Sequence, residues 1–163
     1  FTSREIFQIR NKEKLKRGED FYMVGGMGHS SMVSLGYSLN QKRKTICIDG
    51  DGSLLMHMGS IRTSGFHGKK NFKYVLLNNN SHESVGGQTT NSYGINFRNL
   101  FKSLGYKNYY SIKNTNLNSK MKIKKFLNSL GPSILEVIID KGHLGNLGRP
   151  KNLIKIKNNF CKK

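Results

Sequence analysis

Two short stretches of this chain combine residue types that could hold a metal ion against a phosphate. Gly50-Asp51-Gly52-Ser53 follows an apolar, β-branched run and leads into a helical pattern, and Asn78-Asn79-Asn80-Ser81 closes a second such run. Glycines let the backbone approach a ligand closely, and a helix that starts there offers free N–H groups and a favourable dipole to a phosphate. Asp51 is then placed to hold a metal that bridges those phosphates. Mg²⁺ takes about six hard oxygen ligands in near-octahedral geometry and draws few of them from the protein. The Asp51 carboxylate, the Asn79 amide oxygen and the Ser81 carbonyl would serve. The separation of 28 residues between Asp51 and Asn79 fits one helix, one loop and one returning strand. Two parallel strands then end together at the carboxyl edge of a sheet, where open α/β sheets bind ligands. An Asp-Gly turn alone is common; its pairing with an Asn-rich strand end at this distance is what makes the pattern specific.

A third stretch, FYMVGGMGHSSMVSLGYSL from Phe21 to Leu39, also reads as strand, glycine turn and helix. Gly26-Met27-Gly28 gives part of a dinucleotide-binding GxGxxG, but Ser31 stands where the third glycine belongs. The acidic residue that such a site needs is also missing, apart from those of the Gly50–Gly52 turn itself.

The GDG turn followed by the Asn pair resembles the cofactor motif of thiamine diphosphate (ThDP) dependent decarboxylases, and Phe21 to Leu39 resembles the element on which those enzymes rest the cofactor rings. The resemblance implies that Asp51, Asn79 and the Ser81 carbonyl bind Mg²⁺, and that Gly50, Gly52 and Ser53 meet the diphosphate. It further implies that Met27 is the apolar wedge under the bent cofactor, with the Gly25 carbonyl accepting from its amino group and Gly26 beside it. SHESVGGQTT, the opening TSREIFQIR and the closing LGRP are similar to phosphonopyruvate decarboxylases and next to sulfopyruvate decarboxylase β subunits. The implied reaction is loss of CO₂ from 3-phosphonopyruvate, or from sulfopyruvate or another anionic 2-oxo acid, to give an aldehyde. The family needs a glutamate from a pyrimidine-binding domain or α subunit, so a companion and a homo- or hetero-oligomer are implied, with this chain inactive alone. Asn80 departs from the pattern by replacing a glycine, and Asn tolerates the left-handed backbone that a glycine there would supply.

Among the histidines, His82 directly follows the metal loop and could act as donor or proton relay at the reacting carbon. His29, just after Met27, is a second candidate, whereas His57 falls inside a helical pattern and is left out of the site. Glu83 could orient His82, Ser84, Gly86 and Gly87 read as a ligand-facing turn, and Arg149 reads as a surface charge.

Alternating apolar and helical patterns predict a doubly wound α/β fold, a mainly parallel sheet with helices on both faces. Strands are expected at 21–24, 45–49, 72–78, 108–112 and 133–140, and helices at 30–39, 53–66, 96–104 and 119–130. The Ile- and Val-rich strands 45–49 and 133–140 read as covered on both faces. One domain over 1–150 and a loosely ordered basic tail over 151–163 follow.

The 28 basic and 9 acidic residues give a net charge of +19, which alone would suggest nucleic acid. The excess is mostly Lys, accompanied by Asn, and both share A-rich codons; aromatic interleaving in the Lys clusters is sparse, which argues against nucleic-acid binding. Two cysteines offer neither a disulfide framework nor a metal site, which fits a reducing cytoplasm, and no apolar run reaches bilayer length. Phe1 in place of an initiator Met predicts further sequence upstream.

Overall fold

The computed structural model describes residues 1–13, 20–113 and 117–161, which form two compact units, 1–26 with 142–163 and 27–141. In the first unit lie helices α1 (Thr2–Lys12) and, near the end of the chain, α7 (Leu153–Cys161). Phe7 meets Tyr22 edge-on at 5.6 Å and Phe21 meets Phe160 at 5.4 Å. Arg10 pairs with Asp20 at 2.8 Å. Two expectations change here: 21–24 is not a strand, its aromatics being used in this packing, and the segment expected as a loose tail carries α7.

The second unit runs α2 (Ser30–Leu39), β1 (Thr45–Gly50), α3 (Asp51–Met56), α4 (Met58–His67), β2 (Phe72–Asn78), α5 (Phe97–Ser103), β3 (Asn108–Ile112), α6 (Leu117–Asn128) and β4 (Ser133–Ile138). The four strands are parallel in the order β1-β2-β4-β3, as crossover helices require. Alternate residues face opposite sides. Cys47, Phe72, Tyr74, Leu76 and Ile134 point to one face and pack under Leu35, Leu54, Ile61, Phe97 and Phe101 of α2 to α5. Val75, Tyr110, Ile112, Leu135 and Val137 point to the other and pack under Ile123, Phe126 and Leu127 of α6. Helices thus cover both faces.

Helix α2 docks through Ser31, Leu35 and Ser38, one helical stripe whose small hydroxyls permit close approach; Ser31 and Ser60 of α4 share a hydrogen bond of 2.8 Å. The expected helix 53–66 is broken at His57 (φ −137°, ψ 51°) into α3 and α4. Strand β1 is an edge strand, and Ile46 and Ile48 on its second face remain 45% and 38% exposed, so that face is not covered as the composition predicts. Among the described residues no helix is long and apolar enough to cross a membrane.

Burial sets a pH dependence. The Cys47 thiol is pushed up to about 12 by burial and then by the charge of Asp49. Burial, and after it Asp49, raises Tyr74; burial raises Tyr106; burial, followed by a hydrogen bond to Glu136, raises Tyr109. These groups stay protonated in the folded chain while their unfolded counterparts ionise, so the unfolded state binds fewer protons and stability falls as pH rises. Lys73, lowered by burial and then by Lys44, acts in the opposite sense below its ordinary 10.5. With three buried groups and the half-buried Tyr109, which counts for less, against one, the unfolding free energy from urea denaturation is expected to decline from pH 9 to 10.5, by up to about 1.4 kcal/mol per pH unit for each fully ionising buried group. Replacing Tyr106 with Phe flattens the decline; a level profile across this range in the unmodified chain contradicts it.

Candidate functional site

In the parallel register of β1 and β2, Gly50 lies opposite Leu77, so the two strands end level and the residues after them share one edge. Gly50 in extended conformation (φ −94°, ψ 158°) caps α3, turning the chain at the strand tip and burying Asp51 to 1% exposure. Its Oδ2 accepts from the hydroxyls of Thr90 and, at 2.8 Å, Ser92. No ion pair to Asp51 forms among the described residues. Ser92 Oγ also lies 3.2 Å from Asn78 Oδ1 and 2.6 Å from Asn80 Oδ1. One hydroxyl proton cannot satisfy three acceptor oxygens, and the Asn78 amide is fixed in this sense because its Nδ2 donates to Glu136 at 2.8 Å. This edge of the sheet is therefore rich in oxygen lone pairs and short of protons.

The other expected ligands stand on the same loop. Asn80 adopts the left-handed conformation (φ 54°), as its replacement of a glycine predicts. Asn79 Oδ1 accepts from the Ser81 N–H at 3.1 Å. Ser81 and Thr89 form an antiparallel bridge flanked by bonds from Thr90 N–H to Asn80 O and from His82 N–H to Gln88 O. They are thus the pair between the ladder bonds, and the Ser81 carbonyl receives no hydrogen bond among the described residues. The bridge returns the chain so that Thr90 and Ser92 reach Asp51. Among the described residues no cluster of three His, Cys, Asp or Glu side chains exists; what Ser92 gathers is one carboxylate with the amide oxygens of Asn78 and Asn80, hard oxygen donors of the kind Mg²⁺ takes.

Two glycines admit imidazole rings. A Cβ on Gly52 would stand 2.5 Å from His82 Nδ1, which puts the half-buried ring of His82 directly over the turn. A Cβ on Gly28, itself at φ +87°, would stand 2.4 Å from His57. Gly28 N–H donates to Ser53 Oγ at 2.7 Å, leaving the Ser53 hydroxyl proton for another acceptor, and the rings of His57 and His29 lie 4.2 Å apart. His57, left out by the sequence reading, thus stands against the Gly28 turn. Met27 opens the second unit with its side chain 37% exposed. Gly25 (φ +72°) and Gly26 belong to the first unit. Glu83 opens a short 3-10 turn, Glu83–Val85, followed by Gly86 and Gly87 at positive φ.

Sequence reasoning missed Thr90, Ser92, Asn78 and Glu136. The hydroxyl-rich run Thr89-Thr90-Asn91-Ser92 after the glycine pair is the signal that pointed to the first two. The His82 ring over Gly52 also generates a test. Gly52→Ala is expected to destabilise the chain by about 1–3 kcal/mol through overpacking, and by clearly less in a His82→Ala background, where the displaced ring is gone. Equal losses in both backgrounds, measured by urea denaturation, would place the strain elsewhere.

The family model described as "Thiamine pyrophosphate enzyme, C-terminal TPP binding domain" matches residues 6–137. Phosphonopyruvate decarboxylase of Streptomyces viridochromogenes is 34% identical over 150 residues, covering 92% of this chain and 36% of that protein. Sulfopyruvate decarboxylase subunit beta of Methanococcus maripaludis is 34% identical over 161 residues, covering 97% of this chain and 82% of that subunit. Among solved structures, a thiamine diphosphate-dependent 4-hydroxybenzoylformate decarboxylase of Rhodococcus jostii superposes with a TM-score of 0.55 at 19% identity, over 72% of this chain and 24% of that one, which shows a shared fold. The chain spans about a third of the length of the phosphonopyruvate decarboxylase. A family match over most of its length, with an α/β sheet whose strand ends carry the GDG turn and the Asn loop, means that this chain belongs to the C-terminal TPP-binding domain family of thiamine pyrophosphate enzymes.

Proposed function

We propose that this chain is the diphosphate- and Mg²⁺-binding part of a decarboxylase acting on an anionic three-carbon 2-oxo acid, with 3-phosphonopyruvate as substrate. The observation that carries this reading is the buried Asp51 carboxylate, without an ion pair among the described residues and linked through Ser92 to the Asn78 and Asn80 amide oxygens, at the level ends of β1 and β2. Residues 1–150 form the working domain in this reading, and 151–163 a basic extension. It works in the cytoplasm, where two cysteines and no disulfide are at home.

Asp51, Asn79 and the Ser81 carbonyl hold the cation. The Asn79 amide oxygen, now accepting from Ser81 N–H, turns to the metal. Gly50 and Gly52 present bare backbone to the diphosphate, and Ser53 donates its free hydroxyl proton to a phosphate oxygen while still accepting from Gly28. Gly25 and Gly26 contribute backbone beside the ring, and Met27 props it. When bound, thiamine diphosphate supplies the electron sink that makes loss of CO₂ feasible. His82, pressed against Gly52, stands at the diphosphate turn and relays a proton to the reacting carbon or steadies the substrate anion; His29 is the second candidate, with His57 beside it. A companion pyrimidine-binding domain or α subunit brings the glutamate and makes the assembly a homo- or hetero-oligomer.

A second reading, the β subunit of a two-subunit sulfopyruvate decarboxylase, is favoured by the 82% coverage of the Methanococcus maripaludis subunit against 36% of the phosphonopyruvate enzyme. The test is turnover of each acid by the chain assembled with its companion. Phosphonopyruvate is expected to be preferred, the chain alone is expected to be silent, and Asp51→Ala is expected to abolish Mg²⁺-dependent ThDP binding in calorimetry. Preference for sulfopyruvate selects the second reading, and ThDP binding that survives Asp51→Ala refutes both.

A further inference from the structure

Glu136, on β4, is a carboxylate that the proposed chemistry does not use. It is 6% exposed and has no ion-pair partner among the described residues. Burying an unpaired carboxylate is costly unless hydrogen bonds hold it. Both of its oxygens are engaged: Oε1 accepts from Asn78 Nδ2 at 2.8 Å and Oε2 accepts from the Tyr109 hydroxyl. Tyr109 is steadied in turn by the Arg98 guanidinium, 4.8 Å above its ring.

An asparagine amide has two nearly isosteric ends, and whichever faces the site decides whether the site gains an acceptor or a donor. An ionised carboxylate only accepts. Glu136 therefore draws the NH₂ end of Asn78 toward β4 and turns Oδ1 toward Ser92, 3.2 Å away, whose hydroxyl also serves Asp51. The chain of contacts runs unbroken from Tyr109 through Glu136, Asn78 and Ser92 to the Asp51 carboxylate.

We propose that Glu136, held by Tyr109, is a positioning residue for the metal loop: by fixing the Asn78 amide with its oxygen toward Ser92 it keeps an acceptor, and not the NH₂ donor, turned toward the Asp51 edge that receives a cation. This rests on the Mg²⁺–ThDP reading of the site and adds to it a residue from a different strand, 85 positions after Asp51. Glu136 touches neither cofactor nor substrate. Its replacement with Leu leaves the Asn78 amide free to turn its NH₂ toward Ser92, placing a donor where the cation needs acceptors. Gln keeps one acceptor for Asn78 and so partly restores the orientation.

The experiment is calorimetric titration of ThDP with Mg²⁺ into the full chain assembled with its companion domain, for the unmodified protein, Glu136→Leu, Glu136→Gln and Asn78→Ala, and for Glu136→Leu combined with Asn78→Ala. Urea denaturation confirms that each variant is folded at the titration temperature. Glu136→Leu is expected to weaken the Mg²⁺-dependent affinity roughly 10- to 100-fold, Glu136→Gln less, and the loss from Glu136→Leu is expected to vanish once Asn78 is already Ala. A general packing defect would lower stability yet leave the affinity of the folded fraction unchanged. Undiminished affinity in Glu136→Leu, or a loss of equal size in the Asn78→Ala background, overturns the positioning role while the functional reading stands. Failure of the unmodified assembly to bind ThDP overturns the functional reading and this proposal with it. Should Glu136→Leu not fold, Tyr109→Phe, which removes one of the two bonds to Glu136, is expected to weaken the same affinity by a smaller factor, and no change there overturns the proposal.

Discussion

The site depends on keeping the Asp51 carboxylate out of water at a point where two parallel strands stop level with each other. A buried carboxylate is tolerable only with strong donors or a counter-ion. This one has two hydroxyls, from Thr90 and Ser92, and those hydroxyls come from a loop that the β2 end itself launches. The same loop must therefore bury the charge and supply further oxygens beside it. Its conformation follows: Asn80 takes the left-handed turn, the Ser81–Thr89 bridge folds the chain back, and the carbonyl of Ser81 is left outside the ladder. A loop that only capped a strand would not gather acceptors around an acid.

How legible this was depends on the range of the interaction involved. The GDG turn, the Asn-rich strand end and the left-handed Asn80 are local chemistry, written in residue types within a few positions, and β1 to β4 appear close to where alternating apolar runs put them. Thr90, Ser92 and Glu136 join the site through tertiary convergence; only the hydroxyl-rich run around the first two marks them, and nothing in the immediate neighbours of Glu136 does. The surroundings of His57 read as one helix, whereas the backbone breaks at that residue and its ring packs against Gly28. Residues 21–24 have the composition of a strand, but Tyr22 and Phe21 are taken up by Phe7 and Phe160 in the first unit. Ile46 and Ile48 show the limit of composition as a guide to burial, since an edge position leaves a β-branched face open.

The glycines at the site do two different jobs. Gly28 is required by its backbone, at φ +87°, as well as by the ring of His57. Gly52 has an ordinary helical neighbourhood, and what excludes a side chain there is the ring of His82. The sequence reading assigned Gly52 to close approach of a ligand; in the structure the same missing Cβ also admits an imidazole, which places a titratable ring within contact of the proposed diphosphate turn. One absence of side-chain volume serves both uses.

The charge of the chain can then be weighed locally. Twenty-eight basic residues against nine acidic would make an accidental Lys or Arg partner for any exposed carboxylate easy to find. Asp49, Asp51 and Glu136 nevertheless lie buried near the carboxyl end of the sheet, and among the described residues each is held by uncharged donors: Tyr74 and the Gly50 N–H for Asp49, Thr90 and Ser92 for Asp51, Asn78 and Tyr109 for Glu136. A lysine beside Asp51 would compete with a divalent ion for the same carboxylate, and its displacement would have to be overcome at every binding event. Hydroxyl and amide partners can reorient in place when a cation arrives. Among the described residues the basic surplus thus forms no ion pair with these three carboxylates, and the carboxylate proposed to receive a cation keeps neutral partners.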